Sequence, residues 1–193
     1  MKVLLINGSP HEKGCTYTAL SLIAGELTAQ GIETEILHVG GQPVGGCIGC
    51  GGCRSGNGCV FGGVVNEAIE KAKTADAFVF GSPVHYASAA GNMASFMDRL
   101  AYAGGKYLAY KPAAICCSAR RAGTTSTLDQ LVKYPQFFHM PLVNGSYWAM
   151  VHGSNPEQVL QDAEGCAVMQ ELGRNMAWLL RCIEAGKAAG IDH

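Results

Sequence analysis

The chain alternates between short apolar runs and longer amphipathic stretches. Val3-Leu4-Leu5-Ile6 is apolar on consecutive positions, the pattern of a strand buried on both faces. Thr16 to Gln30 repeats apolar residues at helical spacing, with Leu20, Ile23, Ala24 and Leu27 on one stripe and Gly31 as its stop. Thr34 to Val39 alternates, and Val64 to Thr74 returns to helical period through Val65, Ala68, Ile69 and Ala72. Ala77-Phe78-Val79-Phe80 predicts a third strand and Ala90 to Ala103 a third helix. Ala113 to Cys117 predicts a fourth strand, Thr125 to Tyr134 a fourth helix, and Leu142-Val143 a fifth strand. The last helix is expected to be capped by Ser154 or Asn155, to open on Pro156 and to run unbroken to about Ala185, before Gly186. Strands alternating with helices imply a five-stranded parallel sheet with helices on both faces. Ligands of such sheets lie beyond the carboxyl ends of the strands, near the topological switch point.

Length adds that residues 1–193 form one domain, with residues 45–60 as a loop insertion, and that a core of this size needs no covalent staple. Hydrophobic residues make up 48% and charged residues 15%, with a net charge of −1. That excludes an intrinsically disordered chain. It also leaves no basic excess for a nucleic-acid strand. The first apolar run, Val3 to Ile6, is shorter than the roughly 7–15 residues of a signal-peptide core, and no run approaches the ~18 residues of a membrane span. The expectation is a cytoplasmic chain without a membrane partner. Its nine cysteines then read as ligands, reactive thiols or small core residues.

Three predicted loops carry chemistry. After the first strand comes Gly8-Ser9-Pro10-His11-Glu12-Lys13-Gly14-Cys15-Thr16-Tyr17-Thr18. A helix N-terminus with the hydroxyls of Ser9, Thr16 and Thr18, and positive charge from His11 and Lys13, suits a phosphate. The triphosphate motif G-x-x-x-x-G-K-[ST] is absent, so a monophosphate fits better. The alternative is an ordinary capped strand-to-helix loop. The third strand leads into Pro83-Val84-His85-Tyr86-Ala87, and the fourth into Ser118-Ala119-Arg120-Arg121-Ala122-Gly123-Thr124-Thr125. Such small-residue loops offer backbone N–H groups to the edge of a planar heterocycle, with Tyr86 placed to flank it. The other reading of His85 and Arg120 is that both are simply solvated.

Taken together, Gly8 to Thr18, Ser82 to Ala87 and Ser118 to Thr125 resemble the three flavin-binding loops of the flavodoxin-like NAD(P)H-dependent FMN reductases. The resemblance continues through Asn144-Gly145-Ser146-Tyr147-Trp148. It implies a flavodoxin-like fold and FMN, with the phosphate held by Ser9, His11, Cys15 and Thr16. The ring would then lie against Pro83, Val84, His85, Tyr86 and Ala87 and against Ser118, Arg120, Gly123, Thr124 and Thr125. NAD(P)H would be the electron donor. A quinone, flavin or other small molecule would be the acceptor. Homodimers or homotetramers are expected, with a neighbouring subunit over the flavin. The flavin would carry the chemistry, so no catalytic side chain is needed.

The loop after the second strand contains Cys47, Cys50, Cys53 and Cys59, spaced C-x2-C-x2-C-x5-C among many glycines. Three thiolates two residues apart open the bacterial ferredoxin run as well. This segment resembles the compact motif of the iron–sulfur flavoproteins, a branch of the same reductase fold. Three readings stand: a [4Fe–4S] cluster, a zinc ion, or thiols that hold nothing. Cys116 and Cys117 read as core residues, and Cys166 and Cys182 as residues on the packing side of the last helix. Cys15 sits where a helix N-terminus tends to lower a thiol pKa. Asp98 and Arg99 read as a structural pair. Two other function classes remain open, a flavodoxin-like electron carrier and a zinc-stabilised binding module. The near-neutral charge weighs against the carrier, which needs acidic steering.

Overall fold

The computed structural model describes residues 1–191 and 193. Among these residues six strands form: β1 (Lys2–Asn7), β2 (Glu33–His38), β3 (Ala77–His85), β4 (Ser88–Ala89), β5 (Ala113–Ala119) and β6 (Met150–His152). Among the described residues six α-helices lie between and after them: α1 (Cys15–Ala29), α2 (Val64–Thr74), α3 (Gly91–Gly104), α4 (Thr124–Phe137), α5 (Pro156–Gln161) and α6 (Ala163–Ala188). The parallel sheet runs β2-β1-β3-β5-β6, with β4 added antiparallel to β3. The order reverses direction at β1 and β3, which places a ligand crevice beyond their carboxyl ends.

Alternate residues of each strand feed opposite cores. Leu4, Ile6, Phe78, Phe80 and Ile115 pack with α2, α3 and α4. Val3, Leu5, Val79, Ala114 and Cys116 pack with α1 and α6. Burial pushes the thiols of Cys116 and Cys117 up, that of Cys117 to about 12, so both are unreactive core groups.

Two expected elements differ. The fifth parallel strand is Met150–His152, which pairs with β5 from Cys117↔Met150 to Ala119↔His152. Leu142 makes only one bridge, to Ala113. The last helix is broken. Asn155 caps α5 by accepting from the Gln158 amide at 2.9 Å, with Pro156 in the first turn as expected. Asp162 then starts α6, accepting from the Gly165 amide at 3.0 Å and the His152 amide at 2.7 Å. The bond to His152 fixes the break to the edge of the sheet. Helix α6 packs on α1 through Leu172, Met176 and Leu180, and it continues past Gly186. Met176 is core, whereas Trp178 and Cys182 are exposed, so Cys182 is not on the packing side. No described helix is long and apolar enough to cross a membrane.

At the sheet's far edge Glu35 accepts from Lys2 at 2.8 Å and Lys71 at 2.6 Å, joining β2 to β1 and α2. The hydrogen bond from Lys2, then that from Lys71, holds the Glu35 carboxyl below its usual range. A carboxyl lowered by folding stabilises above the unfolded pKa of about 4.3, and that contribution fades as pH falls through the folded value. Glu35→Gln is therefore expected to melt slightly lower than wild type at pH 7, with the two melting temperatures converging toward pH 3. Thermal unfolding across that range checks it, and a gap that widens in acid contradicts it.

Candidate functional site

The carboxyl edge of β1 ends in Asn7, which lies between His38 of β2 and Gly81 of β3 in the parallel register. Its side chain builds the next loop from inside. Asn7 Oδ1 accepts from the Ser9 amide at 3.1 Å, and Nδ2 donates to the Glu12 carbonyl at 2.9 Å. His38 Nε2 donates to the Ser9 carbonyl at 2.7 Å. The loop then turns into α1, whose cap Gly14 supplies no side-chain hydrogen bond. The first intrahelical bond is Thr18 N–H to Gly14 O at 3.0 Å, so the amides of Cys15, Thr16 and Tyr17 have no helical acceptor. An uncapped helix N-terminus facing the ligand edge fits an anion.

The side chains singled out for phosphate divide. Ser9 Oγ accepts from the His11 amide at 3.1 Å and keeps its own proton to donate. Exposed His11 stands on the open side of the loop. The Thr16 hydroxyl instead is buried against the Ser118 hydroxyl at 2.8 Å. Thr18 donates to the Gly14 carbonyl at 3.2 Å. The Cys15 thiol faces the Gly153 carbonyl at 3.5 Å, and burial pushes its pKa up, against the lowering expected of its helix position. The cradle is thus made chiefly of backbone N–H groups and Ser9. Thr16 and Ser118 join it to the end of β5.

The end of β3 folds back on β4 as a hairpin. Val84 pairs with Ala89 and His85 with Ser88, so Tyr86 and Ala87 form a two-residue connection. Both have positive φ, 51° and 59°, which is uncommon without glycine or asparagine. The conformation is held from across the edge. Ser126 Oγ donates to the Ala87 carbonyl at 2.7 Å. Gly123, with φ +93°, is packed so close that a Cβ there would lie 2.7 Å from Ala87 Cα. Gly123 also starts α4 without a side-chain cap, leaving a second open helix N-terminus at this edge. Pro83 and Val84 are half-buried, while His85, Tyr86, Arg120 and Thr125 are exposed and Thr124 is buried. A planar ring at this edge would meet the hairpin on one side and the α4 amides on the other.

The loop between β2 and α2 places Cys47, Cys50, Cys53 and Cys59 around one cavity of about 390 Å³. Cys47 and Cys50 are exposed; Cys53 and Cys59 are half-buried. Asn66 of α2 grips Cys59, accepting from its amide at 2.8 Å and donating to its carbonyl at 3.0 Å. Arg99 of α3 completes the floor, with Nε donating to Cys59 Sγ at 3.2 Å. Asp98 and Arg99 are not a pair, because Asp98 accepts from the Tyr134 hydroxyl at 2.6 Å on the α4 side. Four thiols line this cavity, a soft donor set suited to zinc or iron–sulfur chemistry, although among the described residues no three of them are gathered closely enough to hold a metal ion as they stand.

Helix α3 serves both places. Asn92 in its first turn donates to the Gly40 and Gln42 carbonyls at 3.1 and 3.0 Å, behind the phosphate cradle. Arg99 lies about 10 Å further along the helix axis, at 1.5 Å per residue. Sequence reasoning missed Asn7, His38, Gly40 and Asn92. Parallel register brings Asn7 beside His38, Gly40 follows at the end of β2, and Asn92 reaches Gly40 from α3.

This sheet order and these loops define a flavodoxin-like α/β protein. Solved structures agree on the fold: RosB, determined with 8-demethyl-8-formylriboflavin-5′-phosphate, superposes with TM-score 0.76 at 14% identity over 96% of this chain and 81% of that one. A flavodoxin from the domain Archaea gives 0.62 at 14% identity, over 94% of this chain and 99% of that one. The chain belongs to the NADPH-dependent FMN reductase family, whose sequence model matches residues 1–155. It is 27% identical to an iron–sulfur flavoprotein of Methanocaldococcus jannaschii, over 95% of this chain and all of the relative. It is 24% identical to an iron–sulfur flavoprotein of Methanosarcina thermophila, over 97% and 99%. The protein is accordingly a flavin oxidoreductase of the FMN reductase family.

Proposed function

We propose that this chain binds FMN at the carboxyl edge of β1, β3 and β5 and accepts electrons from NAD(P)H. We further propose that it passes them to a small-molecule acceptor, a quinone or a flavin, with a [4Fe–4S] cluster on Cys47, Cys50, Cys53 and Cys59 as the relay. The observation that carries this reading is the joining of three loops. Thr16–Ser118 links the first to the third, and Ser126–Ala87 with Gly123 links the third to the second.

Bound FMN would supply hydride acceptance at its ring and single-electron release. The chain's own residues bind and orient. Ser9 and the amides of Cys15, Thr16 and Tyr17 would neutralise the phosphate. The α4 N-terminus would place its positive end toward the anionic edge of a reduced ring. The hairpin at Tyr86 and Ala87 would fix the ring's height above the sheet, and the buried Thr16 and Ser118 hydroxyls would keep the two walls in register. No dinucleotide-binding G-x-G-x-x-G motif follows a strand, so the nicotinamide is expected to stack directly on the ring.

The cluster reading is preferred over zinc on the spacing of the four cysteines. One zinc ion gathers its sulfurs to about 2.3 Å from a single point. Zinc sites more often use two separated cysteine pairs, whereas these cysteines run C-x2-C-x2-C-x5-C. A cubane gives each thiolate its own iron and needs a wider ring of ligands.

Anaerobic purification with FMN, iron, sulfide and zinc quantified together tests the proposal. Stoichiometric FMN with iron and sulfide is expected, with NADPH oxidation that depends on an added quinone. Cys53→Ser is expected to lose most of the iron and sulfide while FMN stays bound. A colourless chain that FMN cannot reconstitute sinks the flavin reading. Zinc in place of iron and sulfide sinks the relay.

A further inference from the structure

Arg99 is 6% exposed, and none of the ion pairs among the described residues includes it. Its neighbour Asp98 is turned to Tyr134. Burying a guanidinium without a counter-ion is costly even after relaxation. Its hydrogen bonds are to the Gly45 carbonyl at 3.4 Å, the Gly62 carbonyl at 3.0 Å and Cys59 Sγ at 3.2 Å. The carbonyls tie both ends of the cysteine loop to α3, but they carry no charge. Phe61 covers one face of the fork, 5.5 Å from its ring centroid. The remaining face looks into the cavity that the four cysteines line. The cavity lined by the four cysteines is therefore the place beside Arg99 where a counter-charge can sit.

We infer that Arg99 is the fixed counter-charge of the cysteine cavity, a positioning residue that favours the more negative redox state of the group bound there. This rests on the reading of the cavity as a cluster site. Four thiolates already make an iron–sulfur centre anionic, and one-electron reduction adds a further negative charge. A guanidinium held by hydrogen bond to one ligand sulfur offsets that charge, and no proton has to move. Lysine keeps the charge but loses the planar fork. Methionine keeps the apolar stem volume and loses both.

Wild type, Arg99→Met and Arg99→Lys are reconstituted anaerobically with FMN, iron and sulfide. They are then titrated with dithionite, which donates the electron, while the potential of the iron–sulfur centre is followed by electron paramagnetic resonance. Arg99→Met is expected to lower the equilibrium constant for one-electron reduction about tenfold, about 59 mV to the negative. Arg99→Lys is expected to stay within about threefold of wild type. Retention of the centre by the Lys variant with its loss in the Met variant also supports a charge requirement. Equal potentials in all three chains overturn the inference, as do equal shifts in Met and Lys or loss of the centre from both. A wild-type chain that takes up FMN but no iron and sulfide overturns the cluster reading and the inference together. A centre present with an Arg99-independent potential overturns the inference alone.

Discussion

Gly40→Ala is expected to weaken FMN binding by roughly 30- to 150-fold, about 2–3 kcal/mol of overpacking. Gly40 is buried one residue beyond Val39, where the chain leaving β2 passes under the first loop. A Cβ there would lie 2.5 Å from the Gly8 carbonyl oxygen and closer still to that of Ser9. Both obstacles are backbone, so neither can swing aside like a side chain. Gly40 cannot retreat either, because its amide donates to the Asn7 carbonyl at 3.3 Å and its own carbonyl accepts from Asn92. The loop must therefore rise, and it is the loop whose amides would hold the phosphate. Ser9 is pinned from two other sides, by Asn7 and His38, so the displacement passes on toward Cys15 and Thr16. Quenching of FMN fluorescence by the apoprotein measures the effect. Gly25→Ala is the matched control: it sits on the exposed face of α1 with nothing within 4 Å of its added Cβ, and binding there should not change. Equal dissociation constants for Gly40→Ala and wild type would remove the first loop from the phosphate site.

The same geometry explains what was readable from sequence. Strands β1, β3 and β5 are central and buried on both faces, so their apolar runs stand out. Strand β6 has one fully buried residue, Val151, among three, and no periodicity can flag it. The Leu142-Val143 dipeptide looks more strand-like, yet its pairing with β5 stops at one bridge. Helical period runs on through Asp162, and only the bond from the His152 amide turns that residue into a cap. The three ligand loops were legible because glycine, hydroxyl and small residues cluster after strands. The residues that hold those loops in place were not, because Asn7, His38 with Gly40, and Asn92 come from three separate segments. The turn at Tyr86-Ala87 lacks the Asn-Gly signature of its type, and contacts from Gly123 and Ser126 impose it instead. Arg99 was misread for a related reason: adjacency to Asp98 suggests a pair, while a helix sends neighbouring side chains about 100° apart.

Phe80→Ala is expected to cost about 3–5 kcal/mol of stability, the largest loss foreseen for a single substitution. The ring is fully buried and stacks on Phe78 with centroids 5.9 Å apart. It lies between Ile6 of β1 and Ile115 of β5 in register, at the centre of the core shared with α2 and α3. Strands fixed on both sides cannot close in, so most of the ring's volume stays as a cavity. For a chain of this size the loss lowers the melting temperature by roughly 6–20 °C. Differential scanning calorimetry of the apoprotein measures it, and a loss below about 1 kcal/mol would show that the core repacks. Titration with FMN then separates core from site. A ligand that binds only the folded chain adds RT ln(1 + [L]/Kd), about 2.7 kcal/mol at a hundredfold excess over Kd. Phe80 faces the helices, while the proposed FMN contacts begin beyond it at the end of β3, so this increment should survive in Phe80→Ala. In Gly40→Ala it should shrink, because there the same free FMN meets a much larger Kd. An increment lost from both variants would mean that the carboxyl edge takes its shape from the packing beneath it. Survival in one and loss in the other places the binding geometry in the loops and their backbone contacts.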